Sequence, residues 1–138
     1  MNYFPDTSIC VDILRTNGAQ KSVELFESLD EQTTGYISVI TVSELSAGSS
    51  LSTRPDAIIK TKQLLAYLQI IELTEAIAWE GGKHFAALSK KGKKIEFNDC
   101  LIAATAQSLG INEIVTRNCD HFSRIEGMTA IVPEELDF

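Results

Sequence analysis

Short apolar runs alternate with amphipathic stretches from one end of this chain to the other, and no hairpin signal joins any two of the runs. An antiparallel sheet would need tight turns between neighbouring strands. A parallel sheet needs a long crossover between them, and the intervening helical stretches supply it. Strands are expected at residues 2–5, 36–40, 70–73, 112–116 and 129–132. Helices are expected from 7 to about 18, at 22–29, from 41 to about 48, at 56–68, from 75 to about 91, and at 96–110. This order predicts an α/β fold with a mainly parallel sheet covered on both faces, built as one domain over residues 1–138.

The stretch 96–110 organises the reading. Asn98 is a good N-cap, Asp99 places a negative charge in the first turn, and Gly110 is a plausible stop. Leu101, Ile102, Ala106 and Leu109 are apolar, and Ala103 and Ala104 allow close packing. A largely buried helix thus carries a carboxylate at its mouth. Elsewhere Thr41 and Glu44 have the spacing of a capping box, and Thr74 caps the long helix that Gly81 and Gly82 weaken in its middle.

Composition narrows the classes. No apolar run is long enough to span a bilayer and no signal peptide is visible, so a cytoplasmic protein without a membrane partner is expected. Cys10, Cys100 and Cys119 are odd in number and match no zinc spacing, which fits reduced thiols. The formal net charge of -7 argues against a general nucleic-acid binder. Yet Lys90, Lys91, Lys93 and Lys94 cluster just before the central helix, where they could meet phosphates. His84 and His121 have no partner at ligand spacing and read as surface or satisfied positions. Trp79 reads as core or interface.

In an open parallel sheet the ligand site lies beyond the carboxyl ends of the strands. Asp6 follows the first strand. Glu44 stands in the first turn after the second. Asp99 opens the central helix, and Thr116, Arg117, Asn118 and Asp120 follow a later strand. Singly, each acid has a structural explanation as a cap, a first-turn charge or a turn residue. Together, carboxylates converging in a cleft repel each other and lose hydration unless a cation neutralises them. Oxygen-only ligands suit Mg²⁺ or Mn²⁺, and a metal held this way can activate water for phosphodiester hydrolysis.

Four segments carry a resemblance. Pro5-Asp6-Thr7-Ser8 looks like the opening motif of PIN-domain nucleases. Residues 37–45, ending in Glu44-Leu45, resemble the second motif, and 98–106, beginning Asn98-Asp99, the third. Residues 115–122, with Ile125-Glu126-Gly127 after them, resemble the closing segment. The match runs in order over nearly the whole chain and is nearest to the VapC toxins of type II toxin–antitoxin pairs. It implies a PIN-like three-layer α/β/α sandwich and a Mg²⁺-dependent endoribonuclease, usually a homodimer, held inactive by a cognate antitoxin. It implies a catalytic and metal-binding set of Asp6, Glu44, Asp99 and Asp120, supported by Thr7, Ser8, Thr116 and Asn118. Lys90, Lys91, Lys93, Lys94 and Arg117 are the candidate RNA contacts. Two positions depart from the pattern: Pro5 stands where an apolar residue is common, and Asn118 where an Asp often follows Thr-Arg. Either Asp120 or Asn118 therefore supplies the fourth group. The competing readings are a receiver-like acidic regulatory domain and a degenerate PIN domain that binds without cutting.

Overall fold

Consecutive residues of a strand point to opposite faces of its sheet, and this chain places an apolar residue on each face. In the computed structural model, which describes residues 1–15 and 17–137, β1 (Asn2–Tyr3), β2 (Thr34–Ser38), β3 (Gln69–Ile71), β4 (Glu113–Val115) and β5 (Thr129–Ile131) form only parallel pairs. β1, β2 and β3 are neighbours in that order, and β4 pairs β5. A parallel bridge between Pro5 and Val115 joins the two groups. The amide of Asp6 donates to Val115 O, and that of Val115 to Phe4 O, both at 3.0 Å. The strands thus run β3-β2-β1-β4-β5, and the order reverses direction between β1 and β4.

Among the described residues seven α-helices cover this sheet: α1 (Thr7–Leu14), α2 (Gln20–Glu27), α3 (Val39–Leu51), α4 (Ala57–Leu65), α5 (Glu75–Lys90), α6 (Phe97–Ser108) and α7 (Cys119–Phe122). Tyr3, Ile37 and Val115 pack with Ile9 and Cys10 of α1, Leu25 and Phe26 of α2, Leu45 of α3 and Leu64 of α4. Their strand neighbours Phe4 and Ile114 enter a second core with Leu88 of α5, Ile102, Ala103 and Ala106 of α6, and Phe122 of α7. The two cores are the two faces of a three-layer sandwich.

Element existence follows the sequence pattern, but several ends differ. β2 stops at Ser38 because α3 begins at once. Ser38 Oγ accepts from the amide of Ile40 at 3.0 Å and caps the helix, so Thr41 is buried within the helix and the expected capping box does not form. Glu44 therefore sits beyond the first turn. α6 starts at Phe97, one residue before the expected cap. Glu96 takes the cap position without a side-chain bond, and Asn98 falls in the first turn. The helix ends as expected at Gly110, whose φ of +73° suits glycine. α1 ends at Leu14. Its expected continuation toward Gly18 includes residue 16, outside the described residues.

Gly81 turns out to be a packing device as well as a weak point of α5. A Cβ there would lie 2.6 Å from Leu101 Cδ2 and 3.2 Å from Leu101 Cα. Its absence lets α5 press against α6 and hold the front of α6 toward the sheet. Cys10 and Cys100 are buried free thiols, and Cys119 is half-buried. No helix among the described residues is long and apolar enough to cross a membrane.

Candidate active site

The point where strand order reverses opens a crevice, because the connections after the two flanking strands leave to opposite faces. Here that point lies between β1 and β4, and Asp6 follows β1 directly. Asp6 caps α1 and is only 2% exposed. Its Oδ1 accepts from the Ser8 amide at 3.0 Å and from the Ser8 hydroxyl at 2.5 Å. Its Oδ2 accepts from the Thr116 hydroxyl at 2.8 Å. Both hydroxyls are aimed by backbone amides of the turn after β4. Arg117 N–H donates to Ser8 Oγ, and Asn118 N–H donates to Thr116 Oγ1, each at 2.9 Å. With a lone pair occupied, each hydroxyl has its proton free to point at Asp6. Burial nevertheless raises the Asp6 carboxyl above its ordinary value, outweighing these bonds.

Glu44 comes from α3, and its Oε1 accepts from the Thr7 hydroxyl at 2.7 Å. Asp99 comes from the first turn of α6 and accepts no hydrogen bond among the described residues. Burial, then the charges of Asp6 and Glu44, push its carboxyl up to about 6. A half-exposed His121 offsets part of this, with Nδ1 3.8 Å from Asp99 Oδ2. Asp6, Thr7, Ser8, Glu44, Asp99 and Asn118 line one open cavity of about 780 Å³. Among the described residues no lysine or arginine pairs with Asp6, Glu44 or Asp99.

Two expected site residues lie elsewhere. Asp120 does not line the cavity. The single turn of α7 directs it outward, its side chain is 82% exposed, and its Oδ2 accepts from Arg124 Nη2 at 2.7 Å. Asn118 lines the cavity instead. Arg117, expected among the RNA contacts, borders the cavity but spends its guanidinium internally. Nε donates to Asp12 Oδ2 at 2.7 Å, Nη2 to Ser22 Oγ at 3.3 Å, and Nη1 and Nη2 both donate to Glu134. Lys90, Lys91, Lys93 and Lys94 are all exposed, at the end of α5 and in the connection to α6.

Sequence reasoning passed over Asp12 and Glu134, and read His121, which stands 3.8 Å from Asp99, only as a surface or satisfied position. Asp12 was accessible to it, since an acid between Val11 and Ile13 on an apolar helix asks for a buried cation. Glu134 has no local signal, for its role depends on Arg117 at a distance of seventeen residues. His84, read as satisfied, lies with Nε2 2.7 Å from Gln107 Oε1.

The donor set bears on what the cavity can hold. Among the described residues no three His, Cys, Asp or Glu side chains stand as a ready-made metal cage. Asp12 and Glu134 border the same cavity together with Arg15 and Arg117, whose guanidinium groups turn to those two acids. Asp6, Glu44 and Asp99 remain as hard oxygen donors with no lysine or arginine paired to them, a set that a divalent oxygen-binding ion fits. Drawing them onto one ion requires side-chain rotation. Asp99, with no hydrogen bond to lose, is the freest to rotate.

The profile of the PIN domain family matches residues 3–128. Ribonuclease VapC2 of Haemophilus influenzae is 31% identical over 127 residues, covering 91% of this chain and 92% of the relative. Among solved structures, VapBC2 from Rickettsia felis, bound to a DNA fragment from its promoter, superposes with a TM-score of 0.83 at 29% identity, covering 96% of this chain and 98% of that one. VapBC-1 from nontypeable Haemophilus influenzae gives 0.81 at 28% identity, covering 98% and 100%.

Proposed function

Because the chain belongs to the PIN-domain family, we propose that it is a Mg²⁺-dependent endoribonuclease and the toxin half of a toxin–antitoxin pair. The observation that carries this reading is the set of three uncompensated carboxylates, Asp6, Glu44 and Asp99, on one cavity at the reversal of strand order. Like charges gathered around a buried Asp6 and partly buried Glu44 and Asp99 are costly to a fold and are kept where something bound offsets them.

Asp6 and Asp99 would hold the ion, Mg²⁺ or Mn²⁺, and Glu44 would share in this or orient the attacking water. When bound, the ion supplies Lewis acidity toward the phosphate and toward that water. The chain's own residues do the rest. Ser8 and Thr116 hold Asp6 at a fixed orientation. Thr7 holds Glu44 by Oε1, which leaves Oε2 as the acceptor for a proton from water. Asn118 borders the site as a neutral group and takes the fourth position, with Asp120 turned to Arg124.

The partner surface is the α1–α4 flank. Leu51, Ile58, Ile59 and Tyr67 are exposed there, beside a cleft lined by Ile13, Leu14 and Leu64 together with Arg15, Arg54 and Lys60. An antitoxin segment with apolar anchors and acidic groups fits both halves of that lining. Exposed Trp79 on α5 is the proposed contact of a homodimer. Residues 1–138 act as one nuclease domain, in the cytoplasm, where the RNA is.

Cleavage of a tRNA and rRNA panel by the purified chain tests this. Scission is expected with Mg²⁺, absent in EDTA, and absent for Asp6→Asn. Binding without cutting in any metal would assign the degenerate alternative. Cutting at the parent rate by Asp6→Asn would remove the site.

A further inference from the structure

We infer that Phe97, braced by Phe85 and flanked by the lysines of residues 90–94, is a base-stacking platform that selects unpaired RNA. The inference rests on the ribonuclease reading for the identity of the ligand. Three observations carry it.

The first is an exposed ring where a core residue would be expected. Phe97 is the first residue of α6, two positions before Asp99, and is 46% exposed. It is not a loose ring. Its centroid lies 4.7 Å from that of Phe85 at an interplanar angle of 37°, and Phe85 packs on the core beneath α5 and α6. One side of Phe97 is held by partly buried Phe85, which leaves the remainder as an apolar surface. Stacking on such a surface is open to any base, because every base has a π-face.

The second is a concentration of free positive charge at that spot. The chain has twelve Lys and Arg residues. Among the described residues, Arg15, Lys21, Arg54, Lys60, Lys83, Arg117 and Arg124 pair with carboxylates. Of the five that do not, four are Lys90, Lys91, Lys93 and Lys94. In a chain of net charge -7 four of the five unpaired cations thus lie within seven residues of exposed Phe97 in the sequence. Lys94 Nζ stands 5.9 Å from the Phe85 centroid, so the two features are continuous.

The third is distance to the chemistry. Phe97 and Asp99 share one helix end, about 3 Å apart along the axis but about 200° apart around it, so their side chains leave opposite sides of the same turn. A base on Phe97 belongs to a nucleotide a few steps from a phosphate at Asp99, across roughly one helix diameter of about 10 Å. A duplex buries its base faces in its own stack and cannot offer one here without unpairing. The platform therefore discriminates by strandedness, with the lysines contributing sequence-independent attraction.

The test is binding, measured apart from cleavage. The full chain in EDTA is titrated with an oligoribonucleotide carrying 2-aminopurine, as a single strand and as its duplex. Fluorescence anisotropy reads affinity and probe quenching reads stacking, while chain mass is followed by light scattering. The single strand should bind more tightly than the duplex and should quench the probe. Phe97→Leu should weaken single-strand binding about 5- to 100-fold, the range for loss of one stacking ring, abolish quenching, and leave duplex binding unchanged. Phe97→Trp should restore both. Equal binding by Phe97→Leu, or binding of neither strand by the parent, overturns the platform. So does a change in mass with Phe97→Leu, which would assign the ring to a contact between copies. A chain that stacks RNA through Phe97 yet cuts none with Mg²⁺ keeps the platform and loses the nuclease reading.

Discussion

Two groups of buried acid stand side by side at the end of the sheet, and they are treated differently. Asp12, on α1, is nearly as buried as Asp6 one and a half turns earlier. Asp12 receives the guanidinium of Arg117 at 2.7 Å and the hydroxyl of Ser22 at 3.0 Å, and Arg117 is further held by Glu134. Asp6 receives two hydroxyls and an amide, and Asp99 receives only the distant His121. Arg117 is within reach of both groups through its backbone and its side chain, yet its charge goes to Asp12. The fold thus neutralises Asp12 and Glu134 with Arg117 and leaves Asp6, Glu44 and Asp99, which border the same cavity, without a lysine or arginine partner. That division separates a scaffold from a site more sharply than burial or acidity alone.

The comparison breaks most decisively on activity. Asp6→Asn or Asp99→Asn should reduce Mg²⁺-dependent RNA cleavage on the order of 10²–10³-fold or more, with RNA binding retained. Parent-rate cleavage by either variant would place the chemistry elsewhere. Asp12→Ala should act oppositely. It removes the buried partner of Arg117 and of the Ser22 hydroxyl while Glu134 still holds the guanidinium, and should cost about 1–3 kcal/mol in urea unfolding. A loss under about 1 kcal/mol would mean the network behaves as an ordinary surface pair.

Smaller effects sharpen the boundary. Thr116→Val removes one hydroxyl from Asp6 and should lower cleavage or Mg²⁺ affinity about 10–100-fold, with Thr116→Ser recovering most of it. Equal function in all three would make the hydroxyl dispensable. The smallest effect concerns pH. The Asp99 carboxyl is raised from 3.8 to about 6 in the fold, so as pH rises the unfolded chain ionises first. Metal-free stability should fall between about pH 4 and pH 6 and then level off. Asp6, raised in the same direction, adds to the slope. Asp99→Asn should flatten it and lift the metal-free Tm at pH 8 by about 2–6 °C. A drop in Tm there would mean that Asp99 serves mainly to start α6.

Much of this arrangement was legible in the residues, and the failures have causes. Alternating strands and helices without hairpins could only give a parallel sheet, and a parallel sheet sends Asp6 and Thr116 to the same edge. Lengths were less legible. Ser38 ends β2 by capping α3, and nothing in Tyr36-Ile37-Ser38-Val39-Ile40 marks where extended backbone gives way to helix. Asp120 looked like a site acid because it follows β4 closely. Its direction was decided by one helical turn and by Arg124 four residues on. Arg117 looked available for RNA because its partner Glu134 enters from the 3-10 turn Pro133–Glu135, after the last strand. Local pattern places residues on elements. It does not say which distant charge will reach them first.

The bond from Thr116 to Asp6 closes 110 residues of chain. During synthesis Asp6 leaves the ribosome first and waits for its clamp, a delay of about 5–20 s at ordinary elongation rates. Glu134, which anchors the Arg117 turn, arrives later still. A product truncated before residue 116 would carry Asp6, Glu44 and Asp99 but neither β4 nor the hydroxyl that orients the first of them. For an enzyme proposed to cut the cell's own RNA, the nascent chain is unarmed, and incomplete translation yields an inert fragment.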